Sequence, residues 1–155
     1  TDTHTGYAES LKTWEQMLEC EMIPFKKGIE KGAKMIMTAH IAAPNVTRDN
    51  LPATLSKVII TDKLRGELGF DGIVVTDAIE MGAITNHYTV EESTINAVLA
   101  GVDIILLPTH YEDAFNALSD AVSKGIITEE RITQSARRIV ELKKSILRER
   151  GVLAE

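Results

Sequence analysis

The chain has 155 residues, 44% of them hydrophobic and 26% charged, enough for one domain with a core of its own. A formal net charge of −6 leaves no basic surplus to neutralise phosphates and argues against nucleic acid as a partner. No run approaches the roughly 18 apolar residues of a membrane span, and the single cysteine, Cys20, rules out an internal disulfide.

The polar opening, Thr1 to Thr5, has no signal-peptide pattern and reads as the interior of a longer protein, so the compartment, cytoplasmic or secreted, stays undecided. Within it lies Asp2-Thr3-His4. An Asp two residues before a His can fold back onto Nδ1, orient the ring and leave Nε2 for proton transfer. The alternative is a solvated tail. Leu11, Trp14, Leu18 and Met22 then share one face of a first helix, in which Cys20 reads as a buried or half-buried apolar residue. Pro24 suits the opening turn of a short second helix ending at Gly28 or Gly32.

Three short, continuously apolar runs come next, each entered through glycine: Lys34 to Ala39, Gly72 to Asp77, and Asp103 to Pro108. Such runs suit parallel strands buried on both faces. Helical patterns lie between and after them. Leu55 to Leu68 closes at Gly69, Val90 to Leu99 leads into Gly101, and Tyr111 to Val122 leads into Gly125. Thr128 is the expected N-cap of a long helix reaching about Arg150, with Glu129 and Glu130 in its first turn. Arg137, Arg138, Lys143, Lys144 and Arg148 alternate there with Ile139, Val140, Leu142 and Ile146, which predicts a solvated charged face on an amphipathic helix. Strands separated by helices make an α/β fold of βαβ units. Three strands amount to an open sheet, or to roughly half of a (β/α)8 TIM barrel with a long C-terminal helix.

In either architecture ligands bind beyond the carboxyl ends of the strands. The first run ends in Thr38-Ala39-His40, the second in Thr76-Asp77-Ala78-Ile79-Glu80-Met81, and the third in Pro108-Thr109-His110. Asp77 stands out as a carboxylate closing a run as apolar as Ile73-Val74-Val75; it serves either chemistry or the N-cap of the next segment. His40 either lines the pocket or is a core histidine bonded to a neighbouring loop. Asp71 belongs to the turn Gly69-Phe70-Asp71-Gly72, Asp103 opens the third strand, and Glu91 and Glu92 sit in a helix's first turn, so all four read as structural. No spacing suits a metal site, no glycine-rich phosphate loop is present, and no G-x-S-x-G elbow occurs; no cofactor is expected.

Together these pieces resemble glycoside hydrolase family 3. The resemblance is carried by Leu51-Pro52-Ala53-Thr54-Leu55-Ser56, then by Leu64-Arg65-Gly66-Glu67-Leu68-Gly69-Phe70-Asp71-Gly72-Ile73-Val74-Val75-Thr76-Asp77. Lys34 to His40 resembles the strand before this segment, and Ala100-Gly101-Val102-Asp103 with the run to Pro108 resembles the strand after it. The resemblance implies that residues 1–155 form one unit, the C-terminal portion of the family's barrel domain, and that Asp77 is the nucleophile. The D-x-H pair is similar to the dyad of the β-N-acetylhexosaminidase branch, which implies that His4 is the general acid/base and Asp2 its partner. His40 and Met81 are further candidates for contact with substrate.

The implied activity is removal of β-linked N-acetylglucosamine from muropeptides or chito-oligosaccharides by retaining double displacement. The alternatives are a β-glucosidase, a β-xylosidase or a glycoside phosphorylase of the same family, or a non-catalytic α/β interaction module. The implied partner is a carbohydrate substrate. Half a barrel exposes strand edges and an apolar face, so this stretch alone is expected to self-associate, or to pair with the rest of a barrel, and to be inactive.

Overall fold

Glycines and caps cut this chain into elements much as its sequence pattern does. The computed structural model describes residues 8–153. Strand β1 spans Ala8–Glu9, helix α1 Trp14–Glu19, α2 Ile23–Glu30, β2 Met35–Met37, β3 Ile41–Ala42 and α3 Pro44–Thr47. A 3-10 turn at Ala53–Leu55 and a π-wound helix over Val58–Glu67 lead into β4, Ile73–Val75. Then come α4 at Gly82–Thr85, α5 at Val90–Ala100, α6 at Tyr111–Ser123 and α7 at Glu129–Glu149.

The strands pair in parallel. β2 lies beside β4 with Met35, Ile36 and Met37 opposite Ile73, Val74 and Val75. On the other side of β4 the third apolar run makes one parallel bridge, Ile104 to Val75. Its ladder stops early because its later backbone groups serve other partners: the Leu106 N–H donates to the Thr76 hydroxyl, and the Leu106 and Leu107 carbonyls accept from the N–H groups of Ile79 and Glu80. Leu107 takes a left-handed backbone, φ 43°, at that point. A second, two-residue parallel pair joins β1 to β3, Ala8 opposite Ile41.

Among the strands of the described residues, only β4 is buried on both faces. Met35 and Met37 of β2 are exposed, against the expectation for all three runs. Ile36, between them, packs on a core of Leu55, Ile60, Phe70, Val74, Ile79, Ile84, Ala97, Ala100 and Val102. Each large side chain in that cluster contributes about 1.5–3 kcal/mol by leaving water. A smaller cluster, Val98, Ala121 and Ile127, seats α6 and the start of α7 against α5.

Local sequence explains most element ends. Thr13 forms a capping box with Gln16, so α1 begins at Trp14 and Leu11 lies outside it, exposed. Trp14 is buried instead, its indole donating to Glu67 at 2.6 Å beneath the Lys63 ammonium. Cys20 caps the end of α1 and is exposed, not buried or half-buried as expected. Thr89 and Glu92 form a second capping box at α5, and Thr128 caps α7 as predicted. Gly72 is required by close approach: a Cβ there would lie 2.6 Å from the Lys34 carbonyl and from the Phe70 ring. The Leu55–Leu68 pattern holds a 3-10 turn and a π-helix in place of one α-helix. Its inner face is anchored by Thr61 donating to the Ala100 carbonyl at 2.7 Å and by Arg65.

Arg65 belongs to an ionic knot at the amino end of the strands. The Asp103 side chain is fully buried, 2.6 Å from Arg65 and 3.2 Å from Arg138, with Arg131 at 3.9 Å. Ser135 and the Val74 N–H also donate to it. Arg138 therefore does not lie on a solvated face, as the charge pattern of α7 suggested; it turns inward to a carboxylate 35 residues earlier.

Candidate functional site

The second apolar run delivers Asp77 to the carboxyl end of β4. Residues Ile73 to Thr76 are buried and Asp77 is half-buried, so its carboxylate emerges where the sheet meets solvent. Oδ1 accepts from the Ala78 N–H at 2.8 Å. Oδ2 makes no hydrogen bond to the described residues. The capping alternative for this carboxylate does not hold, because the next helix, α4, starts at Gly82 with Met81 as its N-cap.

Behind Asp77 lies a buried polar chain. His40 is 1% exposed, and both of its ring nitrogens have protein partners. A carbonyl oxygen can only accept, so Nε2 carries a proton and donates to the Ala78 carbonyl at 2.9 Å. Nδ1 lies 2.9 Å from the Thr54 hydroxyl, which in turn lies 2.9 Å from the Thr38 hydroxyl. Burial pushes the imidazole below its ordinary pKa; the bond to Ala78 and the nearby Asp77 charge raise it only in part. The ring is therefore neutral near pH 7, with Nδ1 as an acceptor facing the Thr54 hydroxyl, whose one proton also has the Ala39 carbonyl within reach at 3.1 Å.

The loop after Asp77 is held from two sides. The Ala78 carbonyl receives His40, and the Ile79 and Glu80 N–H groups donate to Leu106 and Leu107 at 3.0 and 3.1 Å. Met81 is buried and returns its N–H to the Ala78 carbonyl at 3.1 Å. His110, at the end of the third run, is the N-cap residue of α6 and is exposed. Asp2 and His4 lie outside the described residues.

The structure thus brings Asp77, His40 and Met81 into one neighbourhood. Thr38 and Thr54 complete it, and sequence reading missed them. Thr54 lies within the Pro52-Ala53-Thr54-Leu55 stretch, and a threonine with 0% exposure in a 3-10 turn needs a buried partner, but nothing in the sequence names that partner as His40. A cavity elsewhere on the molecule is not lined by Asp77. That cavity, about 770 Å³, lies among Lys34, Phe70, Gly72, Arg138, Glu141 and Leu142, at the amino ends of β2 and β4 and against α7. Among the described residues no group of three or more His, Cys, Asp or Glu could hold a metal ion, and no helix is long and apolar enough to cross a membrane.

The sequence profile of the glycosyl hydrolase family 3 N-terminal domain matches residues 1–142. The chain is 31% identical to a protein named beta-hexosaminidase A from Pseudoalteromonas piscicida, over 99% of this chain and 29% of that protein. It is 34% identical to a beta-hexosaminidase from Chromobacterium violaceum, over 73% of this chain and 31% of that one. Among solved structures, a glycoside hydrolase family 3 beta-N-acetylglucosaminidase from a Paenibacillus species, strain FPU-7, superimposes with a TM-score of 0.90 and 40% identity, covering all of this chain and 29% of its own. The chain thus spans less than a third of the length of these relatives. A profile match over residues 1–142, joined to parallel strands that carry a carboxylate at their mouth, makes this chain a member of glycoside hydrolase family 3.

Proposed function

We propose that this chain is the carboxy-terminal half of a (β/α)8 barrel whose complete form is a retaining β-N-acetylhexosaminidase, with Asp77 as nucleophile. The observation that carries the proposal is the carboxylate itself. One oxygen is held by the Ala78 N–H at 2.8 Å and the other is free of hydrogen bonds to the described residues, at the strand end where α/β enzymes bind ligands. A nucleophile needs that combination of fixed orientation and an available lone pair. The names of the relatives, beta-hexosaminidase and beta-N-acetylglucosaminidase, support an N-acetylglucosamine glycoside as the substrate.

In this reading Asp77 attacks the anomeric carbon as the glycosidic bond breaks, and His4 Nε2 gives its proton to the leaving oxygen. Water then attacks the glycosyl-enzyme, giving its proton to His4 and releasing the sugar with its configuration retained. Asp2 holds the His4 tautomer and offsets its charge. A histidine acid suits a site with one carboxylate, because its protonated form attracts the Asp77 charge where a second carboxylate repels it.

The test uses the full-length protein with aryl β-glycosides of N-acetylglucosamine, glucose and xylose, each with and without inorganic phosphate. The expected result is hydrolysis of the N-acetylglucosaminide, phosphate-independent, with the β anomer formed first. Asp77→Asn is expected to lower kcat on the order of 10⁴-fold or more while leaving the melting temperature unchanged. Retained turnover in that variant would disprove the role of Asp77, and preference for glucoside or for phosphate would move the activity elsewhere in the family.

A further inference from the structure

We infer that His40 is a positioning residue for the reaction, acting on Asp77 through the backbone of Ala78. The inference rests on the reading of Asp77 as nucleophile. A buried imidazole is costly to desolvate, and here its Nε2–H goes to a loop carbonyl outside any strand ladder. That carbonyl belongs to the peptide joining Ala78 to Ile79. The same peptide donates its N–H, from Ile79, to the Leu106 carbonyl at 3.0 Å. The peptide plane is therefore clamped from both sides, by the loop after β2 and by the third apolar run.

Ala78 also supplies the N–H that orients Asp77 Oδ1. Tilting the 78–79 peptide swings Ala78 and moves that N–H with it. The Met81 N–H also reaches the Ala78 carbonyl, at 3.1 Å, but it comes from within the same loop and moves with it. His40 is the clamp that comes from another strand connection, and its own orientation is fixed by Thr54 and Thr38 behind it. With 1% exposure the ring has no route to a sugar, so its effect on the reaction passes through this carbonyl. Displacing a nucleophile by a fraction of an ångström weakens the attack, with little change in how the sugar is held elsewhere.

The experiment compares wild type, His40→Gln, His40→Leu and Asp77→Asn in the full-length protein, with an aryl N-acetyl-β-glucosaminide as probe and rates expressed per folded molecule. A glutamine Nε2 can reach the place of the imidazole Nε2 and still donate; leucine fills the space and cannot. The expected result is a kcat lowered about 10- to 100-fold in His40→Leu, with KM within about threefold, and a kcat restored to within about threefold of wild type in His40→Gln. A wild-type kcat in His40→Leu, or equal losses in both variants, overturns the inference and assigns His40 to packing alone. If His40→Leu does not fold, Thr54→Val carries the test. It frees Nδ1 while keeping the ring, and an unchanged kcat there overturns the inference too. Activity in Asp77→Asn overturns both readings together, whereas an inactive Asp77→Asn beside a fully active His40→Leu removes only His40.

Discussion

A buried carboxylate shows how residue-scale electrostatics hold this chain together. Asp103 has no exposed side-chain surface and three arginines around it. Burial by itself raises its pKa. Hydrogen bonds from Ser135 and the Val74 N–H, and the charges of Arg65 and Arg138, outweigh that and hold it below the ordinary carboxylate range. Because the folded-state value is depressed, the unfolded chain binds the proton more readily. The stability Asp103 contributes is therefore complete above about pH 4, the unfolded value, and is lost as pH falls through the lower folded value. Asp103→Asn keeps the shape and removes the charge, leaving three half-buried arginines without their counter-ion. It is expected to cost about 3–5 kcal/mol in urea unfolding at pH 7, and to flatten the loss of stability in acid. A variant as stable as wild type would show that the guanidinium bonds to the Phe70, Gly72, Gly101, Val98 and Val102 carbonyls suffice without the charge.

Elements in this chain form where local chemistry and tertiary demand agree. The Thr89 hydroxyl accepts from the Glu92 N–H at 3.1 Å while the Glu92 carboxylate accepts from the Thr89 N–H at 2.9 Å, so two orphan donors at the start of α5 are satisfied reciprocally. Thr89→Ala removes half of that box and is expected to cost about 1 kcal/mol, read as a drop of about 2–4 °C in melting temperature. No change would mean that packing alone fixes the helix start. Such caps are legible in sequence because cap and partner lie three residues apart. So was the second apolar run with Asp77 at its end, because burial of a short strand needs no knowledge of its partner; the first and third runs were legible as extended segments but are not buried on both faces. What stayed hidden depends on distant partners. β1 and β3 are two residues each and too short for a periodic signal. The third run loses its ladder to the carbonyls that hold the loop after Asp77. Arg138 sits in a charged stripe and shows its role only once Asp103 is beside it. The Thr38–Thr54–His40 chain joins side chains 14 and 16 residues apart across a turn, which no spacing rule anticipates.

At the scale of the whole molecule, the apolar surface left uncovered is the feature that needs a partner. Met35 is 45% and Met37 51% exposed, side by side on one face of β2. β2 has a single strand neighbour among the described residues, β4, so a line of backbone donors and acceptors runs along its other edge. An exposed strand edge with methionines on its face is a template for another strand. A free edge of this kind is closed in a barrel by the next strand of the same sheet. That edge, unpaired among the described residues, offers the same pairing to a second copy of the chain. The isolated chain is therefore expected to exceed its 17.0 kDa monomer mass in light scattering at micromolar concentration. Met35→Thr together with Met37→Lys is expected to shift it toward monomer: threonine keeps the strand preference, and an edge lysine opposes edge-to-edge pairing. If the β2 face drives the association, the double variant loses it while its helical circular dichroism is unchanged. A wild-type chain that stays monomeric at that concentration would mean that its helices shield the edge without help from a partner.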